Sequence, residues 1–330
     1  MYWKKDDIDP PQWQRTELQA ALPDLDLEHD SQLPEDVLAY CRFYGLDLWL
    51  EFPDIHYHFG AIDCGPHRVA VHYYRQPESA KGTIFVLHGY FDHVGLYSQL
   101  IERCLDAGFD VVSYDEPGHG LSSGVRAAIG SFEEYQAVLK AVLETTAPLT
   151  RGPLSAVGQS TGGAILIDYL LSNGHTPETS PFKNVVLLAP LVRPVGWVGA
   201  RIMHSLLRPF MTRWRRLFAE NSGNPQFLEF LREKDPLQAR SVHSDWVGAL
   251  RQWIPRIESA RPIKFPVTVV QGEKDLTVDW EHNLRIIRNK FSEVTERRIP
   301  AARHHLVNEA PDLQSQVFDY VIDACTPRRA

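Results

Sequence analysis

The sequence predicts an α/β protein with a mostly parallel central sheet, helices on both faces and one helical insertion. Three observations carry that expectation. Apolar runs of strand length alternate with longer amphipathic stretches. The runs Thr83–Leu87 (TIFVL) and Val185–Ala189 (VVLLA) are apolar throughout, as strands buried on both faces must be. From about Val192 to Arg261 the alternation stops. An arginine-rich stretch of helical periodicity takes its place, with four tryptophans (Trp197, Trp214, Trp246, Trp253) and no evident strand.

The elements follow in order. Residues 1 to about 32 are rich in Asp, Glu and Pro, a composition that fits an arm lying on the domain as well as a disordered one. A short helix is predicted at Pro34–Tyr44, where Pro34 suits the first turn and Gly45 the end. Ile55–Ile62 and Arg68–Tyr74 flank the turn-forming Asp63-Cys64-Gly65-Pro66 and predict a hairpin. Strands Thr83–Leu87, Phe109–Tyr114, Leu154–Gly158 and Val185–Ala189 then alternate with helices Val94–Ala107, Phe132–Thr146 and Thr161–Asn173. Beyond the insertion come strand Val267–Gln271, helix Trp280–Phe291, strand Thr295–Ile299 and helix Leu313–Ala324. The expected organisation is an acidic arm and short helix over 1–50, an α/β core over 51–191 and 262–330, and a helical cap over 192–261.

With 330 residues, 44% hydrophobic and 23% charged, the chain has material for a sizeable core. A net charge of −8 and the lack of a dense basic stripe argue against nucleic acid as a partner. Four dispersed cysteines form no CxxC pair, so neither a disulfide framework nor a zinc site is expected. No apolar run reaches the roughly 18 residues of a membrane span, and the opening MYWKKDDIDPPQW lacks a signal-peptide core. The expected location is cytoplasmic.

The chemistry centres on Gly158-Gln159-Ser160-Thr161-Gly162, a G-x-S-x-G run between a predicted strand and helix. A sharp turn there would lift the Ser160 hydroxyl above the sheet and aim the Thr161 amide at a developing oxyanion. Strand TIFVL runs into His88-Gly89-Tyr90-Phe91-Asp92-His93, which places the Tyr90 amide as a second donor. A serine needs an oriented base, and in this setting the chain order is Ser, acid, His. Asp275 follows strand Val267–Gln271, with Glu273 and Asp279 as alternatives and Asp279 better suited to capping the next helix. After Ile299 come His304 and His305, which spacing alone does not separate.

Assembled, these pieces resemble the monoglyceride lipase and lysophospholipase group of the serine aminopeptidase-like α/β-hydrolases. His88-Gly89-Tyr90-Phe91-Asp92-His93-Val94-Gly95-Leu96-Tyr97 is similar to that group's H-G-x-x-E-H-x-x-x-Y, with Asp for Glu. Asp115 to Gly124 matches its D-x-x-G-H-G-x-S-x-G, a structural segment. Gln159 stands where its nucleophile motif usually has His. Ala302-Arg303-His304 followed by Glu309 fits its A-R-H-x-x-x-x-E, which favours His304.

The resemblance implies an α/β-hydrolase fold and a Ser160–His304–Asp275 triad forming an acyl-enzyme. It also implies oxyanion donors at Tyr90 and Thr161, no cofactor or metal, and monoacylglycerol- or lysophospholipid-like esters as substrates. An iminopeptidase is the alternative, although the HGYFDH loop and arginine-rich cap fit it poorly; a non-catalytic binding protein on the same fold is the third reading. Trp197–Phe218 interleaves apolar residues with Arg201, Arg208, Arg213, Arg215 and Arg216. It reads either as a cap helix packed on the core with a solvated basic face, or as a lid in peripheral contact with a membrane.

Overall fold

The structure, a computed structural model, describes residues 13–326. In chain order the elements begin with α1 (Arg15–Ala21), α2 (Glu35–Tyr44), β1 (His56–Cys64), β2 (His67–Arg75), β3 (Thr83–Leu87) and α3 (Ser98–Asp106). Next come β4 (Asp110–Tyr114), α4 (Phe132–Thr146), β5 (Leu154–Gln159), α5 (Thr161–Ser172) and β6 (Phe182–Leu188). The interruption holds α6 (Trp197–Leu207), β7 (Arg213–Arg215), α7 (Pro225–Glu229), β8 (Ser241–His243) and α8 (Ser244–Ser259). The chain closes with β9 (Ile263–Gly272), α9 (Trp280–Lys290), β10 (Phe291–Ile299) and α10 (Pro311–Cys325).

Eight strands form one sheet in the order β1-β2-β4-β3-β5-β6-β9-β10. β1, β2 and β4 pair antiparallel; the pairings from β4 through β10 are parallel. The period-2 geometry of a strand splits the core in two. Ile84 and Val86 of β3 join the cluster that includes Leu100 and Ile101 of α3 and Val317 and Val321 of α10. Phe85 and Leu87 join the cluster that includes Val138 and Val142 of α4 and Ile165 of α5. Fully burying a side chain of this size contributes roughly 1.5–3 kcal/mol, so the sheet centre is the stiff platform on which the loops after β3, β5, β9 and β10 stand. The four cysteines are buried and unpaired. No helix among the described residues is long and apolar enough to cross a membrane.

Of the two readings of the arm, the described part lies on the domain. Trp13 packs edge-on against Phe43 at 5.7 Å, and Arg15 donates to the carbonyls of Gly120 and Ser122, each at 2.7 Å. Asp24 bridges to Ala61 of β1. Residues 1–12 of the expected arm lie outside the described residues.

The interruption departs from expectation twice. It contains a two-stranded ribbon, β7 against β8, where no strand was expected. Each strand has three residues, too few for alternation to register, and they pair across 28 residues of chain (Trp214 with Val242). The second departure is that Trp197–Phe218 is helical only in part, its helix packing on α8 through His204, whose Nε2 lies 2.9 Å from the Ser244 carbonyl. α6 stops at Leu207, ahead of Pro209, and buries only Trp197 and His204. Val198, Ile202, Met203 and Leu206 are left exposed on its outward side.

Candidate active site

The turn between β5 and α5 carries Ser160 at φ 52°, ψ −107°. A non-glycine residue there stores roughly 1–3 kcal/mol of strain and persists only where its surroundings fix it. The Ser160 amide donates to the Leu188 carbonyl at 2.8 Å, and its own carbonyl accepts from Ala164 (3.0 Å) and Leu191 (3.1 Å). The flanking glycines are steric necessities. A Cβ on Gly158 would stand 2.5 Å from the Gly162 carbonyl, and one on Gly162 would stand 2.3 Å from the Leu87 carbonyl oxygen.

Above this turn three side chains meet. His304 Nε2 lies 3.0 Å from Ser160 Oγ, and His304 Nδ1 lies 2.7 Å from Asp275 Oδ2. A ring nitrogen facing a carboxylate carries the proton, which leaves Nε2 to accept from the serine hydroxyl. Asp275 is held in turn. Its Oδ1 accepts from the amides of Thr277 (2.8 Å) and Val278 (3.1 Å), and its Oδ2 accepts from Gln271 Nε2 (3.2 Å). Burial alone would push this carboxyl up, but His304 and the two amides outweigh it and hold it below its ordinary value. The arrangement can move a proton from hydroxyl to imidazole and stabilise the cation that results.

The alternatives lie elsewhere. Asp279 caps α9, accepting from His282 N at 3.4 Å. Glu273 faces Arg298 at 3.9 Å. His305 turns its Nε2 toward Asp92 Oδ2 at 3.2 Å. That same oxygen accepts from Tyr97 Oη (2.9 Å) and the Gly89 amide (3.3 Å), so Asp92 fixes the loop after β3 as well. Asp115 is structural, accepting from the amides of Val94 (2.8 Å) and Leu121 (2.7 Å).

Gln159 donates to the His304 carbonyl at 2.9 Å and so ties the nucleophile turn to the histidine loop. Glu309, fully buried, accepts from the amides of Arg303 (2.6 Å) and Gly223 (2.7 Å). The His305 amide donates to the Asn221 carbonyl at 2.7 Å. Residues 221–223 of the interruption therefore help set the histidine loop, a contact that no local pattern announces.

Among the described residues no protein acceptor takes the amide of Tyr90 or of Thr161, the first residue of α5. Tyr90 is pinned on two sides. Its hydroxyl donates to the Ala127 carbonyl at 2.7 Å, and its ring stacks on Trp246 of α8 at 3.7 Å and 10°. Trp246 was missed as a functional residue by sequence reasoning; it sits in the interruption, far along the chain from the loop it supports. Next to Tyr90, Phe91 has φ 73°, a second strained residue at the site. A cavity of about 260 Å³ joins these parts, lined by Ser160, His304, Tyr90 and Thr161 together with Leu191, Pro194, Val242, Trp246 and Val278.

Three buried aspartates each face a histidine: Asp275 with His304, Asp92 with His305, and Asp235 with His93 at 3.1 Å. In each, burial pushes the carboxyl up, and the imidazole with other donors pulls it below its ordinary value near 3.8. A depressed folded-state pKa gives stability that is complete above the unfolded value and is lost as pH falls through the folded one. Thermal unfolding followed from pH 7 to pH 2.5 should therefore show these carboxylates as a further fall of the midpoint below about pH 4, on top of the decline that begins near pH 6.5 because burial keeps His72, His88 and His119 neutral in the folded chain. Asp235→Asn should shallow that further fall; an unchanged slope would mean its carboxylate adds nothing to the pH dependence.

A profile of the family described as "Serine aminopeptidase, S33" matches residues 78–311, more than half of the chain. Mouse monoglyceride lipase is 28% identical over 260 residues, covering 76% of this chain and 84% of that protein. Phospholipase YtpA of Bacillus subtilis is 26% identical over 214 residues, covering 60% and 77%. The crystal structure of a soluble variant of Saccharomyces cerevisiae monoglyceride lipase superposes with a TM-score of 0.68 at 17% identity, covering 82% of this chain and 95% of that one. That structural likeness speaks for the fold.

Proposed function

This chain belongs to the serine aminopeptidase S33 family and is a serine hydrolase of the α/β-hydrolase fold, and from that premise we propose that it cleaves carboxylic esters of single-chain lipids through Ser160, His304 and Asp275. The observation that carries the proposal is the 3.0 Å approach of Ser160 Oγ to His304 Nε2 at the floor of a largely apolar cavity.

The chemistry is two-step acyl transfer. Ser160 Oγ bonds to the ester carbonyl carbon as its proton passes to His304 Nε2. The carbonyl electron pair moves to oxygen, where the Tyr90 and Thr161 amides donate to it. Collapse expels the alcohol, which takes the proton from His304. Water then repeats the sequence on the acyl-enzyme and releases the fatty acid.

The family's name raises the peptidase alternative. A free peptide amino terminus needs a carboxylate to receive it. The interruption contributes Pro194, Arg216, Leu217, Ala219, Asn221, Val242 and Trp246 to the cavity wall, none of them acidic. The one carboxylate in the wall among the described residues, Asp92, already serves Gly89, Tyr97 and His305. Both observations favour an ester over a peptide. Matched kinetics on 1-oleoylglycerol, 1-oleoyl lysophospholipids and proline β-naphthylamide decide between them. The ester reading requires kcat/KM on the lipid esters at least a hundredfold above that on the amide.

We further propose that 192–261 acts as a cap which docks on lipid. Val198, Ile202 and Leu206 recur every four residues along α6, Phe210 (84% exposed) follows, and Leu217 (88% exposed) stands at the cavity wall. Exposed Arg201, Arg208, Arg213 and Arg215 flank this surface and suit anionic headgroups. In flotation with vesicles containing 30% phosphatidylglycerol, the protein should rise with the lipid, and Ile202→Glu/Leu206→Glu should weaken that binding about tenfold or more. Flotation that ignores both the substitutions and the anionic lipid would remove the docking claim.

A further inference from the structure

The interruption turns one arginine inward. Side chains alternate along the ribbon strand β7, so Arg213 and Arg215 face solvent while Trp214 and Arg216 are drawn in. The Arg216 amide continues the ladder by donating to the Arg240 carbonyl at 3.1 Å. Its guanidinium lies 4.0 Å over the ring of Phe91, the residue after oxyanion donor Tyr90, and 4.5 Å from the ring of Phe218. Nη1 donates to Gln238 Oε1 and to the Ala239 carbonyl. Among the described residues no carboxylate pairs with it, and its Nε and Nη2 take no protein acceptor. Burial draws its pKa down to about 10, which leaves it cationic at neutral pH.

Among the described residues Arg216 is the sole lysine or arginine in the wall of the catalytic cavity. With Leu217 it also lines a second cavity of about 740 Å³ on the outer side of the ribbon. That outer space is ringed by Arg215, Arg232 and Arg240, with Glu233 as its one carboxylate among the described residues. None of these four arginines makes an ion pair among the described residues. Asp92 and Asp235 favour the charged form of Arg216 from a distance, but neither reaches ion-pair contact, so its remaining donors stay open to an anionic ligand. A planar guanidinium with free donors is shaped for a phosphate or carboxylate.

We propose that Arg216, backed by the arginine-lined outer cavity, binds the anionic phosphate of the alcohol part of the substrate, so that the enzyme favours acyl glycerophosphoesters over uncharged monoacylglycerols. This rests on the ester-hydrolase reading above and names its substrate class. The acyl chain would lie along the apolar part of the wall, which includes Leu191 and Val278, with the phosphate held at Arg216.

The test compares kcat/KM for 1-oleoyl lysophosphatidate with that for 1-oleoylglycerol, both in neutral detergent micelles. The wild type should favour the phosphorylated ester by about tenfold or more, the scale of one charge-assisted hydrogen bond. Arg216→Gln should erase that ratio, chiefly through KM on the anionic ester, whereas Arg216→Lys should keep it above threefold. Arg240→Gln, which leaves Phe91 untouched, should lower the ratio by about threefold, so that the inference does not hang on a variant that disturbs the oxyanion loop. Equal ratios in the wild type and all three variants would overturn the proposal. So would inhibition by inorganic phosphate with no advantage for the phosphorylated ester, which would mark a free-anion site. If neither ester is cleaved in a Ser160-dependent manner, the ester-hydrolase reading falls as well.

Discussion

Ser160→Ala is expected to lower kcat by about 10⁵-fold or more, the scale on which a triad acts as one unit. The size follows from the division of labour at the site. The Tyr90 and Thr161 amides would still polarise a bound carbonyl, but no atom would remain to form the acyl-enzyme. KM should change little, because the cavity wall is untouched. Alanine tolerates the strained backbone at φ 52° about as well as serine does, so unfolding should shift by no more than a few degrees. Residual kcat above about one per cent of wild type, in protein free of contaminating esterase, would mean that the hydroxyl is not the nucleophile.

Asp275→Asn is expected to lower kcat by about 10⁴-fold with the fold intact. Asp275 Oδ2, at 2.7 Å from His304 Nδ1, decides which ring nitrogen carries the proton. An amide there can turn its NH₂ toward Nδ1 and move the proton to Nε2. The imidazole then meets Ser160 with a donor where it needs an acceptor, and the imidazolium formed during attack loses its counter-charge. Asp279→Asn is the control. That carboxylate caps α9, so activity should remain within about threefold while the helix loses a few tenths of a kcal/mol. Equal losses in the two variants would place the orienting acid elsewhere.

The fold and the outline of the site were legible in the sequence because local chemistry fixes them. TIFVL is apolar on both faces and becomes a central strand. Gly158-Gln159-Ser160-Thr161-Gly162 becomes a turn because a Cβ on either glycine would stand 2.5 Å or less from neighbouring backbone. What was not legible depends on partners far along the chain. His304 and His305 are neighbours with the same chemistry, and their roles divide according to which one meets Asp275 and which meets Asp92. The inward turn of Arg216 depends on β7 pairing with β8, too short a ribbon to leave a pattern. The support that Trp246 gives Tyr90 spans 156 residues (from 90 to 246). The apolar face of α6 was visible as periodicity, but periodicity says only that a helix has a face. Whether protein or another phase covers it is settled by tertiary packing, and among the described residues none does.

The measurement that bears most directly on the central claim is the site of covalent capture. Native protein incubated with one equivalent of a fluorophosphonate and cleaved with trypsin should carry a single phosphonyl adduct. Fragmentation of the peptide spanning residues 152–183 should place it on Ser160 rather than on Ser155, Ser172 or Ser180. An adduct on any other residue, or folded protein that remains unmodified at saturating probe, would contradict the account.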